Sequence, residues 1–279
     1  MFSIVRSLDH LRKQILSWRN EGLSVGLVPT MGALHSGHMA LVSRSLEACD
    51  RTLVTLFINP QQFCEGEDFE DYPRDEQKDA KKLKTAGAHF LFVPKFEEIY
   101  PNGFSTGVRV SGLSDLLEGV HRPGFFDSVA TIVIKLLNQT AADRAFFGEK
   151  DYQQLMVIKR MAHDLDITTV IEGVETVRED DGLALSSRNI YLSEKERQTA
   201  ATLYKTLVAV AKHVKEGNEV AAQEEWGRKK LLNAGFSSVD YFSILDAETL
   251  LPCIDASRVK RVLAAAKLGR TRLIDNVQA

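Results

Sequence analysis

The sequence predicts an α/β protein in which a doubly wound, Rossmann-like parallel sheet precedes a smaller α+β domain. Up to about residue 176, short apolar runs rich in β-branched residues alternate with amphipathic helical patterns. The runs are apolar almost throughout, which is typical of parallel strands covered by helices on both faces. From residue 177 onward, helices come first and strands later. The two patterns predict one domain over residues 1–176 and a second over residues 177–279.

The elements of the first domain follow from periodicity and from the residues that bound each run. Ser7 can cap a helix whose apolar residues Leu8, Leu11, Ile15 and Trp18 share one face. The next elements are the strand SVGLV, the helix HMALVSRSLEAC, the strand TLVTLFI, the helix DEQKDAKKLKTAG and the strand HFLFV. Further along we predict the strand GVRV, the helix SVATIVIKLLNQ, the strand RAFF, the helix DYQQLMVIKRMAHDL and the strand ITTVIEG.

The second domain begins with two helical patterns. The run SEKERQTAATLYKTLVAVAKHVKEG predicts one long helix, opened by a capping box between Ser193 and Glu196. A second helix covers EVAAQEEWGRKKLLNAG. Two strand-like runs, VDYFSIL and VKRVLAAAKLG, come next and are followed by TRLIDNV. This order is typical of a small α+β domain.

The composition favours an ordinary globular protein. Of the 279 residues 44% are hydrophobic and 26% charged, and the formal net charge of −3 gives no net attraction to nucleic acid or to an anionic membrane. The cysteines Cys49, Cys64 and Cys253 form no CxxC pair, which argues against a disulfide framework or a zinc knuckle. The N-terminal residues lack the apolar core of a signal peptide, and the apolar runs are too short to span a membrane. We therefore expect a cytoplasmic protein.

The stretch VPTMGALHSGH, residues 28–38, lies where a predicted strand gives way to a helix. In open parallel sheets this junction, at the carboxyl ends of the strands, is where ligands bind. The dinucleotide fingerprint GxGxxG is absent, so a plain NAD site is not expected. In its place stand His35 and His38, with Gly37 between them.

Two histidines three positions apart at a helix start share one face, beside the N–H groups and the positive dipole end that attract anions. Both imidazoles can donate hydrogen bonds to charge that develops during phosphoryl or nucleotidyl transfer, and Gly37 lets a base or a sugar approach the backbone. Two other interpretations stay open. HxxH also occurs in zinc sites, although the glutamate of HExxH is missing here, and packed or solvated histidines are found at helix starts.

Two further stretches supply partners for the phosphate interpretation. In FGEKDYQQL, Lys150 follows a short strand and can reach a phosphate, while Asp151 opens the next helix and can accept a ribose hydroxyl. In GLALSSRN, residues 182–189, two hydroxyls and a guanidinium lie on a loop that can close over the outer phosphates of ATP. Taken singly, a solvated Lys–Asp pair and an ordinary linker explain the same residues.

Together with several others, these stretches resemble the pantothenate synthetase (pantoate–β-alanine ligase) family of the nucleotidyltransferase superfamily. The segments that carry the resemblance, in family order, are VPTMGALHSGH, FINPQQF, YPRDEQKD, IYPNG, LEGVHRPGFF, FGEKDYQQL, TVREDDGLALSSRNIYL and GRTRLIDN. They run along almost the whole chain with family-like spacing. The resemblance also implies that residues 1–176 bind ATP and pantoate and that residues 177–279 form a lid.

The resemblance implies an ATP-dependent ligation that makes pantothenate for coenzyme A biosynthesis. ATP and (R)-pantoate give an enzyme-bound pantoyl adenylate and pyrophosphate, and the amine of β-alanine then displaces AMP. Mg²⁺ is expected to enter with ATP, held mainly by phosphate oxygens, with Asp79 either contributing or lying as a solvated acid on a helix face. The partners implied are the three substrates and a second copy of the chain in a homodimer, with no nucleic acid and no membrane.

The resemblance also implies roles for individual residues in the adenylation step. His35 and His38 stabilise the pentacoordinate α-phosphate, with His38 as proton donor, and Lys150 and Arg188 complete the catalytic set. The residues implied to bind ATP are Met31, Gly32, Ala33, Leu34, His35, Ser36, Gly37, His38, Gly148, Glu149, Lys150, Asp151, Val177, Leu185, Ser186, Ser187 and Arg188.

On the pantoate side the chain both matches the family and departs from it. Gln62 and Gln154 are implied to bind pantoate, and Gln62 also β-alanine. Neutral amides orient the substrate without a salt bridge that blunts the nucleophilicity of its carboxylate. The departures are Phe125 in place of a histidine, Ser128 in place of a glycine and Glu175 in place of a proline. They bear on substrate affinity more than on the reaction.

Two other functions stay open at this point. One is a different HxGH nucleotidyltransferase that adenylylates a phosphorylated substrate, although PQQF and YQQ place amides where such a substrate calls for arginine or lysine. The other is a non-catalytic nucleotide- or RNA-binding module. The acidic charge balance weighs against RNA, and the retention of His35, His38, Lys150 and Arg188 weighs against a site that only binds.

Overall fold

In the computed structural model, which describes residues 2–64, 66–253, 255 and 257–279, the strands form two separate sheets. The strands of the first sheet are Ser3–Val5 (β1), Val25–Thr30 (β2), Arg51–Leu56 (β3), Phe90–Phe92 (β4), Arg144–Gly148 (β5) and Val170–Val174 (β6). They pair in parallel in the order β1-β4-β3-β2-β5-β6. The strands of the second sheet are Ser238–Asp246 (β7), Lys260–Leu268 (β8) and Thr271–Gln278 (β9), which pair antiparallel in that order. The predicted fold class is confirmed.

The chain divides into two compact units. The first unit contains the parallel sheet and comprises Met1–Ser114, Arg122–Glu149 and Gln154–Glu175. The second contains the antiparallel sheet and comprises Asp115–His121, Lys150–Gln153 and Thr176–Ala279. The helices, in chain order, are Leu8–Asn20 (α1), Ser36–Ala48 (α2), Glu76–Ala86 (α3), Phe96–Ile99 (α4), Glu118–His121 (α5), Phe125–Thr140 (α6), Tyr152–Asp164 (α7), Glu194–Ala200 (α8), Thr202–Lys215 (α9) and Val220–Ala234 (α10).

Alternate residues of the central strands pack against helices on the two faces of the parallel sheet. On one face Leu27 and Leu53 join a core with α1, α6 and α7, and on the other Val28 and Val54 pack with α2 and α3. The close approach of α2 requires a glycine in β2. A Cβ at Gly26 would lie 2.2 Å from the Oγ of Ser45 in α2.

Local signals fix the helix ends as the sequence predicts. Ser7 caps α1, and its side chain accepts the N–H of His10 at 3.5 Å. The apolar face of that helix, Leu11, Ile15 and Trp18, is buried. Side-chain N-caps and left-handed glycine C-caps also bound α3 (Asp75 and Gly87) and α10 (Glu219 and Gly235), whereas α6 and α9 begin without a side-chain cap.

The predicted strand at residues 107–110 is wrong. The segment has no sheet partner in the described structure. The N–H of Val108 donates instead to the hydroxyl of Thr131 in α6, at 2.9 Å, and Val110 is buried in the same core. A run of alternating apolar residues has therefore packed along a helix rather than against a strand.

The predicted single helix over residues 193–217 is also wrong in part. Its capping box is confirmed, because the backbone N–H of Ser193 donates to Glu196 at 2.8 Å and the Ser193 side chain accepts from the N–H of Glu196. The helix is divided at Ala201, whose N–H bonds to the carbonyl of Thr199 and so interrupts the helical ladder. The resulting α9 joins α10 and the antiparallel sheet in a second core. Within the described ranges, no helix is both long and apolar enough to cross a membrane.

Candidate active site

The strand order of the parallel sheet has its topological switch point between β2 and β5. From β2 the chain moves outward through β3 and β4 on one side, and it later resumes with β5 on the other side of β2. Ligands in open α/β sheets bind at this switch point, beyond the carboxyl ends of the two strands. The loop at residues 31–35 follows β2, and Gly148 and Glu149 stand at the end of β5. The first unit thus brings two of its predicted ATP-binding segments to neighbouring strand ends.

The loop after β2 has a fixed backbone conformation. Gly32 has a φ of +90°, which a residue with a side chain rarely adopts, and Ala33 follows at +51°. The N–H of Gly32 donates to the hydroxyl of Thr30 at 3.3 Å. The ammonium of Lys82 donates to the carbonyl of Leu34.

Asp79 of α3 also holds this loop, through a hydrogen bond to its backbone. Its Oδ1 accepts the N–H of Leu34 at 2.9 Å. Asp79 is only 2% exposed, so its interpretation as a solvated acid on a helix face is wrong. The other carboxylate oxygen, Oδ2, is buried and has no hydrogen-bond partner among the described residues.

His35 and His38 hold each other at the start of α2. His35 is the N-cap residue, and its Nδ1 accepts the N–H of Gly37 at 3.2 Å. The Nδ1 of His38 accepts the N–H of His35 at 3.3 Å, which completes a capping box with imidazoles in place of the usual hydroxyl and carboxylate. The ring centroids lie 4.1 Å apart.

The capping box determines which nitrogen of each ring can serve as a donor. A neutral imidazole whose Nδ1 accepts a hydrogen bond carries its proton on Nε2. Each ring can therefore donate an Nε2–H, beside the positive end of a helix with no acidic residue in its first turn. This arrangement suits an anion. In the part of the chain that the structure describes, no group of three or more His, Cys, Asp or Glu side chains is placed to hold a metal ion.

Gln62 and Gln154, the predicted pantoate-binding residues, are both half-buried in the first unit. Gln62 ends a 3₁₀ turn, Pro60–Gln62, that Asn59 caps. Gln154 lies in α7 next to Gln153, whose amide is already used, because it donates to the carbonyl of Leu116 and accepts the N–H of Glu118 within the second unit. Of the two neighbouring glutamines, only Gln154 belongs to the first unit.

Lys150 and Asp151 belong to the second unit, where the segment around them is firmly held. The carbonyl of Lys150 accepts the side-chain N–H of Asn276 at 3.0 Å. Tyr152 donates to the carbonyl of Ala247 at 3.0 Å, and the guanidinium of Arg261 lies over its ring at 3.9 Å. The Lys150 ammonium and the Asp151 carboxylate are 3.9 Å apart, which is beyond hydrogen-bond distance.

The loop predicted to close over phosphates is also in the second unit. The structure brings Val177 and Leu185 together, since the N–H of Leu185 donates to the carbonyl of Val177 at 3.0 Å. Ser186 caps a 3₁₀ turn, Ser187–Tyr191, and its side chain accepts the N–H of Arg188 at 3.3 Å. The two serines and Arg188 thus stand on an ordered turn.

Several supporting residues carry no obvious signal in the sequence. Asn276 also accepts from Arg261, whose Nε lies 2.7 Å from its side-chain oxygen, and both residues are buried. The adjacent polar residues Asp275 and Asn276 in the run TRLIDNV, both buried, hint that this strand does more than fill a core. Asp79 offers a weaker hint, because one acid among the charges of α3 does not stand out.

Comparison with known proteins shows the same likeness along the whole chain. A family model described as Pantoate-beta-alanine ligase matches residues 3–278. A protein named pantothenate synthetase from Paramagnetospirillum magneticum is 54% identical over 274 residues, which cover 98% of this chain and 96% of the relative. Another protein of that name, from Cereibacter sphaeroides, is 50% identical over 274 residues, with 98% of each chain covered.

Solved structures agree with these relatives. A pantothenate synthetase from Thermus thermophilus has a TM-score of 0.90 and 44% identity, and the match covers 98% of both chains. A pantoate-beta-alanine ligase from Francisella tularensis, complexed with beta-gamma ATP and beta-alanine, has a TM-score of 0.84 and 31% identity, and the match covers 99% of this chain and 97% of the other. The likeness therefore includes both sheets, and it favours a ligase over the two other functions that the sequence left open.

Proposed function

The chain belongs to the pantoate-beta-alanine ligase family, and we propose that one adenylation centre, built around His35 and His38, carries both steps of its reaction. The enzyme joins (R)-pantoate to β-alanine to form pantothenate, while ATP is converted to AMP and pyrophosphate. The observation that supports this centre is the capping box that the two histidines form at the start of α2.

In the first step a carboxylate oxygen of pantoate attacks the α-phosphorus of ATP. The bond from that phosphorus to the bridging oxygen breaks, and pyrophosphate leaves with the electron pair. Negative charge increases on the α-phosphate oxygens as the phosphorus becomes pentacoordinate. His35 and His38 donate Nε2–H hydrogen bonds to those oxygens and, as neutral imidazoles, keep their protons through the step. A preorganised donor pair of this kind needs no rearrangement as the charge develops.

In the second step the amine of β-alanine attacks the acyl carbon of pantoyl adenylate. The bond from that carbon to the AMP oxygen breaks, an amide bond forms, and the nitrogen loses a proton. Gln62 is proposed to contact both pantoate and β-alanine, and Gln154 to contact pantoate. Their amides orient the two substrates without pairing with the carboxylate that must react.

The remaining ATP contacts are proposed for the segments described above. Lys150 and Arg188 supply positive charge to the phosphates, and Ser186 and Ser187 supply hydroxyl donors. Gly148 and Asp151 are proposed to face the ribose. The other residues proposed to line the nucleotide are Met31, Gly32, Ala33, Leu34, Ser36, Gly37, Glu149, Val177 and Leu185.

Mg²⁺ is proposed to enter with ATP, with phosphate oxygens as its main ligands. When bound, it neutralises phosphate charge and so assists the departure of pyrophosphate. Asp79 Oδ2 is the protein oxygen proposed for it, because a buried carboxylate oxygen without a hydrogen-bond donor fits a cation.

We also propose a cytoplasmic homodimer, with residues 177–279 serving as a lid. The three free thiols, Cys49, Cys64 and Cys253, suit a reducing compartment. Light scattering measures the oligomeric state directly, since a dimer has twice the 31.1 kDa mass of one chain.

The experiment that tests the reaction separates its two steps. ATP and pantoate alone should release pyrophosphate, and AMP should appear only when β-alanine is added. Other short hydroxy acids serve as controls for the first step. Pyrophosphate release with those acids but not with pantoate would exclude the substrate assignment, and AMP release without β-alanine would exclude the order of the steps.

A further inference from the structure

Arg122 contacts three neighbours within the first unit. Its Nε and Nη2 donate to the two carboxylate oxygens of Glu67, each at 2.7 Å. Its Nη2 also donates to the carbonyl of Gln62 at 3.0 Å. The flat face of the guanidinium lies over the ring of Phe125, with Cζ 3.6 Å from the ring centroid. We call these four residues the Arg122 clamp.

Each contact of the clamp restricts the guanidinium in a different way. The paired bonds to Glu67 fix the rotation of the fork within its own plane, as bidentate carboxylate contacts do. The ring of Phe125 fixes the position of that plane from one side, and the attraction between cation and ring is strengthened because the Arg122 side chain is only 13% exposed. Without the ring, the fork can tilt while it stays paired with Glu67.

The clamp reaches the substrate side of the site through the backbone of Gln62. The turn that contains Gln62 is short, and its internal bonds run from the N–H of Gln62 to Asn59 and from the N–H of Phe63 to Pro60. Neither of these bonds uses the carbonyl of Gln62, which accepts from Arg122 instead. The direction of the peptide after Gln62, and with it the direction of the side chain, therefore depends on the guanidinium.

We propose that Phe125 is a positioning residue for pantoate, which acts by holding the guanidinium of Arg122 against the backbone of Gln62. The proposal rests on the proposed function, in which the amide of Gln62 contacts pantoate. Phe125 has no polar atom for the substrate, so its effect is exerted through Arg122. The departure at Phe125 thus supplies a flat apolar support for a neighbouring cation.

The test uses the full chain and compares Phe125→Leu with Phe125→Tyr. Leucine keeps an apolar group but removes the ring, whereas tyrosine keeps the ring. We expect Phe125→Leu to raise KM for pantoate by about three- to tenfold, the range that a partly buried cation–π contact corresponds to. Its kcat and its KM for ATP should stay within about twofold of the parent values. Phe125→Tyr, which keeps the ring, should have a KM for pantoate close to that of the parent.

A matched control is Phe104→Leu. Phe104 also lies under a cation, with the ammonium of Lys135 at 4.5 Å from its ring, and it also packs on the first core. The same substitution there should leave KM for pantoate unchanged. A rise in KM for ATP equal to that for pantoate in Phe125→Leu would show a general loss of structure and would overturn the proposal.

A double-mutant cycle with Gln62→Ala tests whether the effect passes through Gln62. In that background Phe125→Leu should change KM for pantoate by less than about twofold, because the side chain being positioned is gone. A further three- to tenfold rise, of about the size seen alone, would place Phe125 in direct contact with the substrate or in another path. Failure of the proposed function itself would look different, because the parent enzyme would then release no pyrophosphate with pantoate.

Discussion

The segment at residues 31–38 and the segment around Lys150 both contain residues proposed to bind phosphates, yet the two segments are held in opposite ways. His38 accepts the N–H of His35, three positions away, at 3.3 Å. The carbonyl of Lys150 accepts from Asn276, 126 positions away, at 3.0 Å. A pair of donors can thus be specified by one turn of helix, whereas a single lysine requires a folded sheet to hold its backbone.

The two supports also differ in burial. The histidines are half-buried and cap backbone N–H groups of their own turn, those of His35 and Gly37, so a change in either ring alters the chemistry more than the stability. Asn276 is 3% exposed and joins Arg261 to the Lys150 carbonyl, so a change there removes a buried hydrogen-bond partner from each of these two groups. Substitutions in the two regions should separate loss of chemistry from loss of structure.

The largest effect is expected for His38→Ala. Pyrophosphate release from ATP and pantoate should fall by a factor of about 10²–10³, the usual effect of removing one donor from a developing oxyanion. Loss of the cap should cost about 1 kcal/mol, too little to unfold the chain. Rates are measured by pyrophosphate release and the fold by circular dichroism.

His163→Ala is the control for that substitution. His163 lies in the last turn of α7, and its side chain is 80% exposed, so its removal should leave the rate unchanged. A His38→Ala enzyme with parental turnover would remove His38 from the mechanism and reduce the capping box to a structural feature.

The second prediction concerns the remote support. Asn276→Ala should lower the free energy of unfolding by about 3 kcal/mol, because the Lys150 carbonyl and the Arg261 guanidinium each lose a buried partner. Adenylate formation should also fall by about tenfold, since the backbone that carries Lys150 is no longer fixed. Urea unfolding and pyrophosphate release measure the two effects.

Asn218→Ala is the matched control within the same unit. The amide of Asn218 also donates to a backbone carbonyl, that of His213 at 2.8 Å, but Asn218 is exposed. Its loss should change the free energy of unfolding by less than about 0.5 kcal/mol. Equal destabilisation in the two variants would mean that burial of Asn276 is not what holds the segment.

These differences explain how much of the molecule the sequence predicts. Apolar runs and caps fix the parallel sheet and most helices, because each of those signals lies within one element. The histidine pair belongs to the same class, since the residues that hold it are its own neighbours. The strand β1 is too short, at three residues, to show any periodicity, and it pairs with β4 only because the rest of the sheet is in place.

The remainder depends on contacts between distant parts of the chain. The strand predicted at residues 107–110 has the right alternation, but the hydroxyl of Thr131 competes for its backbone. Asp79 is buried and accepts the N–H of Leu34 from the loop after β2. The sequence of α3 alone does not reveal this contact. Nor does any local signal show that Asn276 holds Lys150.

The third prediction concerns Asp79, which accepts a hydrogen bond from the loop after β2 across 45 positions of sequence. Asp79→Ala should lower the free energy of unfolding by about 1–2 kcal/mol, because the buried N–H of Leu34 loses its acceptor. Asp79→Asn keeps an acceptor at that place and should recover most of the stability. The asparagine should nevertheless raise the Mg²⁺ concentration needed for half-maximal activity. An unchanged Mg²⁺ requirement in a stable Asp79→Asn enzyme would exclude Asp79 as a metal ligand.

The smallest effect is expected for the loop that carries Ser186, where the support is local but exposed. Hydrogen bonds from Arg197 hold the pKa of Asp181 below its ordinary value, and the N–H of Leu183 adds to the effect while burial opposes it. A carboxyl whose pKa is lower in the folded state stabilises the fold above its unfolded pKa of about 4 and loses that contribution as the pH falls through the folded pKa. Asp181 and Arg197 are each about one-third exposed, so solvent screening limits the contribution.

Asp181→Asn should therefore cost less than about 1 kcal/mol of unfolding free energy at pH 7, and the difference from the parent should shrink as the pH falls below about 4. Asp180→Asn, at the exposed neighbouring position, removes the same charge and is the control, which should change the free energy of unfolding by less than about 0.5 kcal/mol. Urea unfolding across that pH range measures both variants. If the difference in unfolding free energy between Asp181→Asn and the parent stays constant with pH, the charge of the Asp181 carboxylate is not what stabilises the fold. Asp181 and Arg197 are 16 positions apart, whereas Asn276 and Lys150 are 126 positions apart. If the pH-dependent loss is confirmed at this size, the nearer pair contributes less free energy of unfolding than the distant one. Closeness in sequence is then not what makes a contact strong. Burial then decides the energy, and sequence distance decides only whether the contact can be predicted.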